Sequence, residues 1–231
     1  MPCAPGGRPR TPAGPDPAPH ACLRSVADPL KRLAEGAQGI LRRSLTSLEL
    51  DLFDKYLRLL LKWQKSQRLI GSAEPHWIVD KLLLDSLLFL EVLPRPLRTL
   101  LDLGSGAGLP GIPLKIVLGE VELVLVESRQ KRVSFLSSAI RELGLEHARV
   151  LARRVEDAIE ELQSGFDAVV MRCAGDPGAL MPVAARLVVR PGGVVVASGP
   201  PRPRPLPIGE WITVEAGRGR PLRRFAVFRN S

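Results

Sequence analysis

The residues best placed to do chemistry lie in a dense glycine cluster, Asp102-Leu103-Gly104-Ser105-Gly106-Ala107-Gly108-Leu109-Pro110-Gly111. It follows an apolar run at 99–103, and Pro110 suits the first turn of a helix. A side chain at Gly104 or Gly106 would block a ligand lying against the backbone, and glycine permits the positive φ of a tight turn. Two ligands compete for such a turn. Gly106, Gly108 and Gly111 fit the dinucleotide pattern G-x-G-x-x-G. Starting at Asp102, the pattern D-x-G-x-G-x-G fits S-adenosylmethionine better. That cofactor has no pyrophosphate, but its ammonium can face an acidic strand end, directly or through water. Glu127 closes a second apolar run about 20 residues further on, where its carboxylate can accept both ribose hydroxyls. Either cofactor would use such an acid. Val155, Glu156 and Asp157 occupy a third loop. There an apolar side chain can pack on adenine while a backbone or carboxylate group reads its edge. The two acids serve equally well to favour the N-terminus of a following helix. Arg172 follows a fourth apolar run, above the crevice, where it positions cofactor or substrate or is one surface cation among 33 Lys and Arg.

These residues need a scaffold, and the pattern supplies one. Residues 46–65 read as an amphipathic helix opened by a Thr46/Glu49 capping box, with Leu48, Leu52, Tyr56, Leu60 and Trp63 on one face. A second helix is expected from Pro75 to about Val92, ended by Pro94 and Pro96. Short apolar runs follow at 99–103, 121–126, 147–151, 166–171 and 194–197, with a helix at 130–143 and extended segments near 211–215 and 225–228. Strands alternating with helices imply an α/β fold, a doubly wound, mostly parallel seven-stranded sheet of the Rossmann-like kind. The expected organisation is a disordered Pro/Ala/Gly-rich tail at 1–28, a helical extension at 29–97 and the Rossmann-like domain at 98–231.

Cys3, Cys22 and Cys173 are widely separated, as are His20, His76 and His147, so neither a disulfide framework nor a metal site is expected. No apolar run approaches a membrane span and no export signal stands out, so a cytoplasmic enzyme is the expectation, with no membrane contact. The formal charge of +9 suits a polyanion as well as it suits a generally basic surface. Residues 186–231 hold nine Arg against Glu210 and Glu215. As a group, Arg202, Arg204, Arg218, Arg220, Arg223 and Arg224 are candidates for phosphate contact.

Residues 102–116 resemble the signature of the bacterial small-subunit ribosomal RNA methyltransferase G family, also called the glucose-inhibited division protein B family. The Gly-Leu-Pro-Gly-Ile-Pro portion is far more specific than the glycines alone. Lys62-Trp63, Leu84-Asp85-Ser86-Leu87, Lys131 through Leu136, Arg154 through Asp157, and Phe166-Asp167 through Arg172 extend the resemblance over about residues 46–229. It implies an S-adenosylmethionine-dependent class I methyltransferase that forms 7-methylguanosine in 16S ribosomal RNA, acting as a monomer on the small subunit. Its cofactor contacts fall on Gly104, Leu109, Val155, Glu156 and Arg172, with Glu127 where an aspartate is more usual. Arg68, Ile70, Leu82 and Ser198 replace the family's usual asparagine, threonine, histidine and lysine, at positions the resemblance puts on the RNA or reaction side. Methylation of another substrate, or cofactor binding without catalysis on the ribosome, remain alternatives. No catalytic residue is assigned, since guanine nitrogen 7 needs no base.

Overall fold

The computed structural model describes residues 20–162, 165–172, 176–200, 203–216 and 221–231. It opens with α1 (His20–Leu41), which reaches back into the stretch expected to be unstructured. Leu33, Ala37 and Ile40 recur at helical spacing and are buried, and this apolar stripe organises a helix despite Pro29. Next comes α2 (Ser47–Gln67), with the expected capping box complete in both directions. Its buried stripe differs from the expected one and runs through Phe53, Tyr56, Leu57 and Leu60. Leu48 is 66% exposed. Each step of four residues overshoots a full turn by ~40°, so a pure four-residue spacing drifts off the buried face.

The second expected helix is a composite. α3 (Pro75–Ile78) passes into a π-helical turn (Val79–Leu83), α4 (Leu84–Leu87) and a 3-10 turn (Leu88–Glu91). Beyond it lie β1 (Thr99–Leu103), α5 (Gly111–Leu118), β2 (Glu122–Val126), α6 (Gln130–Leu143) and β3 (Ala148–Leu151). The chain continues through α7 (Val155–Leu162), β4 (Ala168–Met171), α8 (Pro177–Ala184), β5 (Val194–Ser198), β6 (Glu210–Val214) and β7 (Arg223–Arg229).

The seven strands form one sheet in the order β3-β2-β1-β4-β5-β7-β6, parallel except for the antiparallel pairings made by β7. This is the doubly wound arrangement expected from the alternating pattern. Neighbouring strand residues alternate between two cores. Leu100, Leu123, Leu125, Val170 and Val196 face one core, shared with α1, α2, the composite helix, α5 and α6. Leu101, Val124, Val126, Val169 and Val195 face the other, under α7 and α8. The N-terminal helices therefore pack directly on the sheet, with Trp63 of α2 edge-on to Phe135 of α6 at 5.6 Å. The strand order reverses between β1 and β4, and there the carboxyl ends of the strands open a crevice.

Candidate cofactor and substrate site

The glycine turn leaves β1 at that reversal. The N–H groups of Gly104 and Ser105 both donate to the Val126 carbonyl, at 2.9 and 3.0 Å, so the end of β2 anchors the turn. Tyr56, fully buried on α2, donates its hydroxyl to the Ala107 carbonyl at 2.5 Å and holds the turn from the helical side. Gly104 and Gly106 adopt φ of 71° and 58°, a region costly for any residue with a Cβ. Gly108 shares the positive φ, at 82°, and it and Gly111 also serve packing. A Cβ on Gly108 would meet Ile112 at 2.4 Å, and one on Gly111 would meet Asp102 and Leu125, each at 2.7 Å.

Asp102 does not line the crevice. Its Oδ2 accepts the Gly111 N–H at 2.8 Å, at the start of α5, and its Oδ1 is buried without a partner. Burial pushes its pKa up to about 7, against the opposing pull of the Gly111 N–H and Arg172. The expectation of an ammonium facing Asp102 thus meets a carboxylate already engaged with a helix start.

Two cavities meet at Gly104. The smaller, about 250 Å³, is lined by Gly104, Glu127, Val155 and Glu156 together with Arg153, Arg154 and Met171. The larger, about 500 Å³, is lined by Gly104, Gly106, Leu109 and Arg172, and also by Leu69, Ile70, Trp77, Lys81, Leu82, Asp85, Arg132 and Arg223. Together they fall within the roughly 300–1,000 Å³ common for small-molecule sites. Gly104, Gly106, Leu109, Glu127, Val155, Glu156 and Arg172, expected from sequence as cofactor contacts, therefore border one divided crevice, whereas Asp157 lines neither cavity. Glu127 Oε2 accepts the Gly106 N–H at 3.1 Å and Oε1 accepts the Arg129 N–H at 2.8 Å. Each oxygen retains a second lone pair for an incoming hydroxyl. Among the described residues no group of three His, Cys, Asp or Glu is placed to hold a metal, and no helix is long and apolar enough to cross a membrane.

Arg172 borders the larger cavity, but its hydrogen bonds run to the composite helix. It donates to the Lys81 carbonyl, to the Leu82 carbonyl at 3.2 Å and to Ser86 Oγ at 3.4 Å, and pairs with Asp85 at 3.2 Å. Arg223 reaches the same carboxylate from β7, with Nε 2.6 Å from Oδ1. In the sequence, Asp85 is visible only through the family resemblance. Its own signal is a lone acid inside the apolar run 82–90, which a buried helix can hold only with a tertiary counter-charge. Trp77, Lys81 and Arg132 as lining residues were not anticipated.

Of the four substituted family positions, Ile70 and Leu82 line the larger cavity, and Arg68 and Ser198 line neither of the two. Leu69, Ile70 and Leu82 make part of the larger cavity apolar, Arg68 ends α2 with φ 46°, and Ser198 closes β5. Gln64 holds Ile70 in place by accepting its N–H at 2.9 Å and donating to its carbonyl at 2.8 Å. Of the C-terminal arginines, Arg202, Arg218 and Arg220 lie outside the described residues, as do Cys3 and Cys173. Arg204 and Arg224 are exposed.

Sequence comparison locates this crevice in a known group. A profile of rRNA small subunit methyltransferase G (GidB) matches residues 49–199, which include the glycine turn, Glu127, Glu156 and Arg172. A protein of Syntrophus aciditrophicus named ribosomal RNA small subunit methyltransferase G is 41% identical over 153 residues, 64% of each chain. One so named from Desulfitobacterium hafniense is 35% identical over 157 residues, 67% of this chain and 65% of its own. Another from Xanthomonas oryzae pv. oryzae is 36% identical over 170 residues, 71% of this chain and 78% of its own. The chain thus spans just under two thirds of the length of the first two relatives. With the seven-stranded sheet and the divided crevice at its reversal point, the match over residues 49–199 identifies the chain as a member of the rRNA small subunit methyltransferase G family.

Proposed function

We propose that the chain is an S-adenosylmethionine-dependent methyltransferase forming 7-methylguanosine in 16S ribosomal RNA of the small subunit. The observation that carries this reading is the pair of cavities joined at Gly104, one holding Glu127 and the other a mostly apolar wall. The fit to the cofactor is chemical. Val155 and Glu156 offer an apolar face and a polar edge for adenine, and Glu127 offers lone pairs for the ribose. Gly104 and Gly106 leave room against the backbone beside Leu109. Bound there, the cofactor supplies an electrophilic methyl group on a sulfonium.

The residues of this chain then have to align, not to move protons. Guanine nitrogen 7 carries a free lone pair and no hydrogen, so its attack requires no general base. Holding nucleophile and methyl at near-attack distance is the main contribution available. Leu69, Ile70, Trp77, Leu82 and Leu109 line the larger cavity and exclude water from that approach. Arg172, tied to the carbonyls of Lys81 and Leu82, fixes the helix that carries Trp77 and Leu82.

The test compares 7-methylguanosine in small-subunit RNA from cells with and without the gene, and restores the gene in a third strain. Loss of one modified guanine on deletion, with recovery on complementation, is the expected result. Unchanged 7-methylguanosine would overturn the proposed substrate. The apolar Leu69, Ile70 and Leu82 wall favours a different methyl acceptor as the second reading, and transfer of labelled methyl to another RNA or small molecule would then identify it.

A further inference from the structure

We propose that Arg132 is the carboxylate-binding residue of this site, taking the α-carboxylate on the amino-acid arm of S-adenosylmethionine. The inference rests on the cofactor reading above and adds the group that distinguishes the intact cofactor from simpler adenine nucleosides. Glu127, Val155 and Glu156 gather in the smaller cavity, so the nucleoside lies on that side of Gly104 and the amino-acid arm extends into the larger one. There the lining carries four cations, Lys81, Arg132, Arg172 and Arg223, against the single acid Asp85. Beside the apolar side chains of the same wall, this excess of cations favours an anionic group of the cofactor over its ammonium. The carboxylate is the only anion the cofactor has.

Position and occupancy select Arg132 among the four. Arg172 is engaged with Asp85, Ser86 and two helix carbonyls, and Arg223 with Asp85. Lys81 stands exposed on the outer helix. Arg132 lies in the first turn of α6, which starts just beyond Glu127, and leans over the glycine turn. A Cβ built on Gly106 would lie 3.6 Å from its Nη1 and 3.8 Å from the Gly104 carbonyl oxygen. Its ion pair with Glu127 is long, at 3.5 Å, whereas the backbone N–H groups of Gly106 and Arg129 approach the Glu127 oxygens more closely, at 3.1 and 2.8 Å. A guanidinium with five donors in a planar fork can therefore take a carboxylate in two parallel hydrogen bonds without giving up a tight pairing.

The decisive probes are S-adenosylhomocysteine and its decarboxylated analogue S-adenosyl-3-thiopropylamine, which differ only in the carboxylate. Both are titrated by calorimetry into the full chain and into Arg132→Met and Arg132→Lys. Arg132→Met is expected to weaken S-adenosylhomocysteine about ten- to a hundredfold while leaving the analogue within about twofold. Arg132→Lys, which keeps the charge but loses the fork, should fall between. Equal weakening of both ligands would overturn the inference, since Arg132 would then act only by arranging Glu127. Unchanged affinity for S-adenosylhomocysteine would overturn it as well. A wild-type chain that binds neither ligand overturns the cofactor reading itself, which separates that failure from the other two.

Discussion

Gly104 and Asp102, two residues apart, respond to substitution in different ways. Gly104 sits where the two cavities join, with φ 71°. Gly104→Val places a branched side chain in the crevice and forces a positive φ on an L-residue, costing of order 1–3 kcal/mol. The expected outcome is a folded protein with lowered melting temperature and no measurable S-adenosylhomocysteine binding. Unchanged affinity would mean that the pocket lies elsewhere. Asp102 is a matter of stability against pH. Its folded pKa of about 7 lies above the ordinary 3.8, so the folded state holds the proton more tightly than the unfolded chain does. Its stabilising contribution is complete below about pH 4 and is lost as the pH rises through about 7. The loss is at most about 4 kcal/mol. Asp102→Asn keeps an acceptor for Gly111 and cannot ionise. Urea denaturation at pH 4.5 and 7.5 should therefore show the wild type losing stability relative to the variant as the pH rises, and parallel profiles would refute the assignment. At this scale the sequence was legible where spacing defines a turn. Gly104, Gly106 and Glu127 read directly because a glycine turn at one strand end and an acid at the next have little freedom. The direction of the Asp102 side chain was hidden, because sequence does not say whether a carboxylate faces a ligand or a backbone N–H.

The elements were legible in proportion to their periodicity. All seven strands lie close to the expected runs, since each is a short apolar segment bounded by turn-forming residues. Helix α1 was legible only in part: residues 29–41 fall in the expected helical extension, but its start lies in a Pro/Ala/Gly-rich stretch and Pro29 sits inside it, which hide its true beginning. The π-helical turn was not readable either. It amounts to one extra residue in a turn and leaves no mark on an all-apolar run. It contains Lys81 and Leu82, whose carbonyls accept from Arg172, and Ser86 Oγ donates to the Leu82 carbonyl as well, at 2.6 Å. Arg172 thereby bolts the composite helix to the end of β4. Arg172→Met should lower stability by about 2–4 kcal/mol, reading chiefly the broken hydrogen bonds and a half-paired Asp85. Arg223 still compensates part of that charge. Arg172→Lys should recover little, because one ammonium cannot span two carbonyls and a carboxylate as the planar fork does. Full recovery with lysine, measured by urea denaturation, would show that charge alone matters there.

At the scale of the molecule, the +9 charge matters through its placement. Basic side chains gather at the crevice mouth. Arg153 and Arg154 are exposed on the wall of the smaller cavity, while Lys81, Arg132, Arg172 and Arg223 line the larger. Exposed Arg95 and Arg98 precede β1 and so sit at the opposite, amino end of the parallel strands. If RNA presents a base to the crevice, its phosphates run along the first group and not the second. Each phosphate that a cation neutralises releases condensed counterions and adds about 0.7–0.9 to the slope of log affinity against log salt. Replacing Arg153 and Arg154 together by Gln should weaken binding of small-subunit RNA and flatten that slope by about that amount for each phosphate no longer neutralised. Replacing Arg95 and Arg98 in the same way leaves the net charge identical to that of the first variant and should leave the slope almost unchanged. Filter binding over a salt series separates the two outcomes. Equal flattening in both variants would mean that RNA responds to total charge alone, and that the crevice plays no part in orienting it.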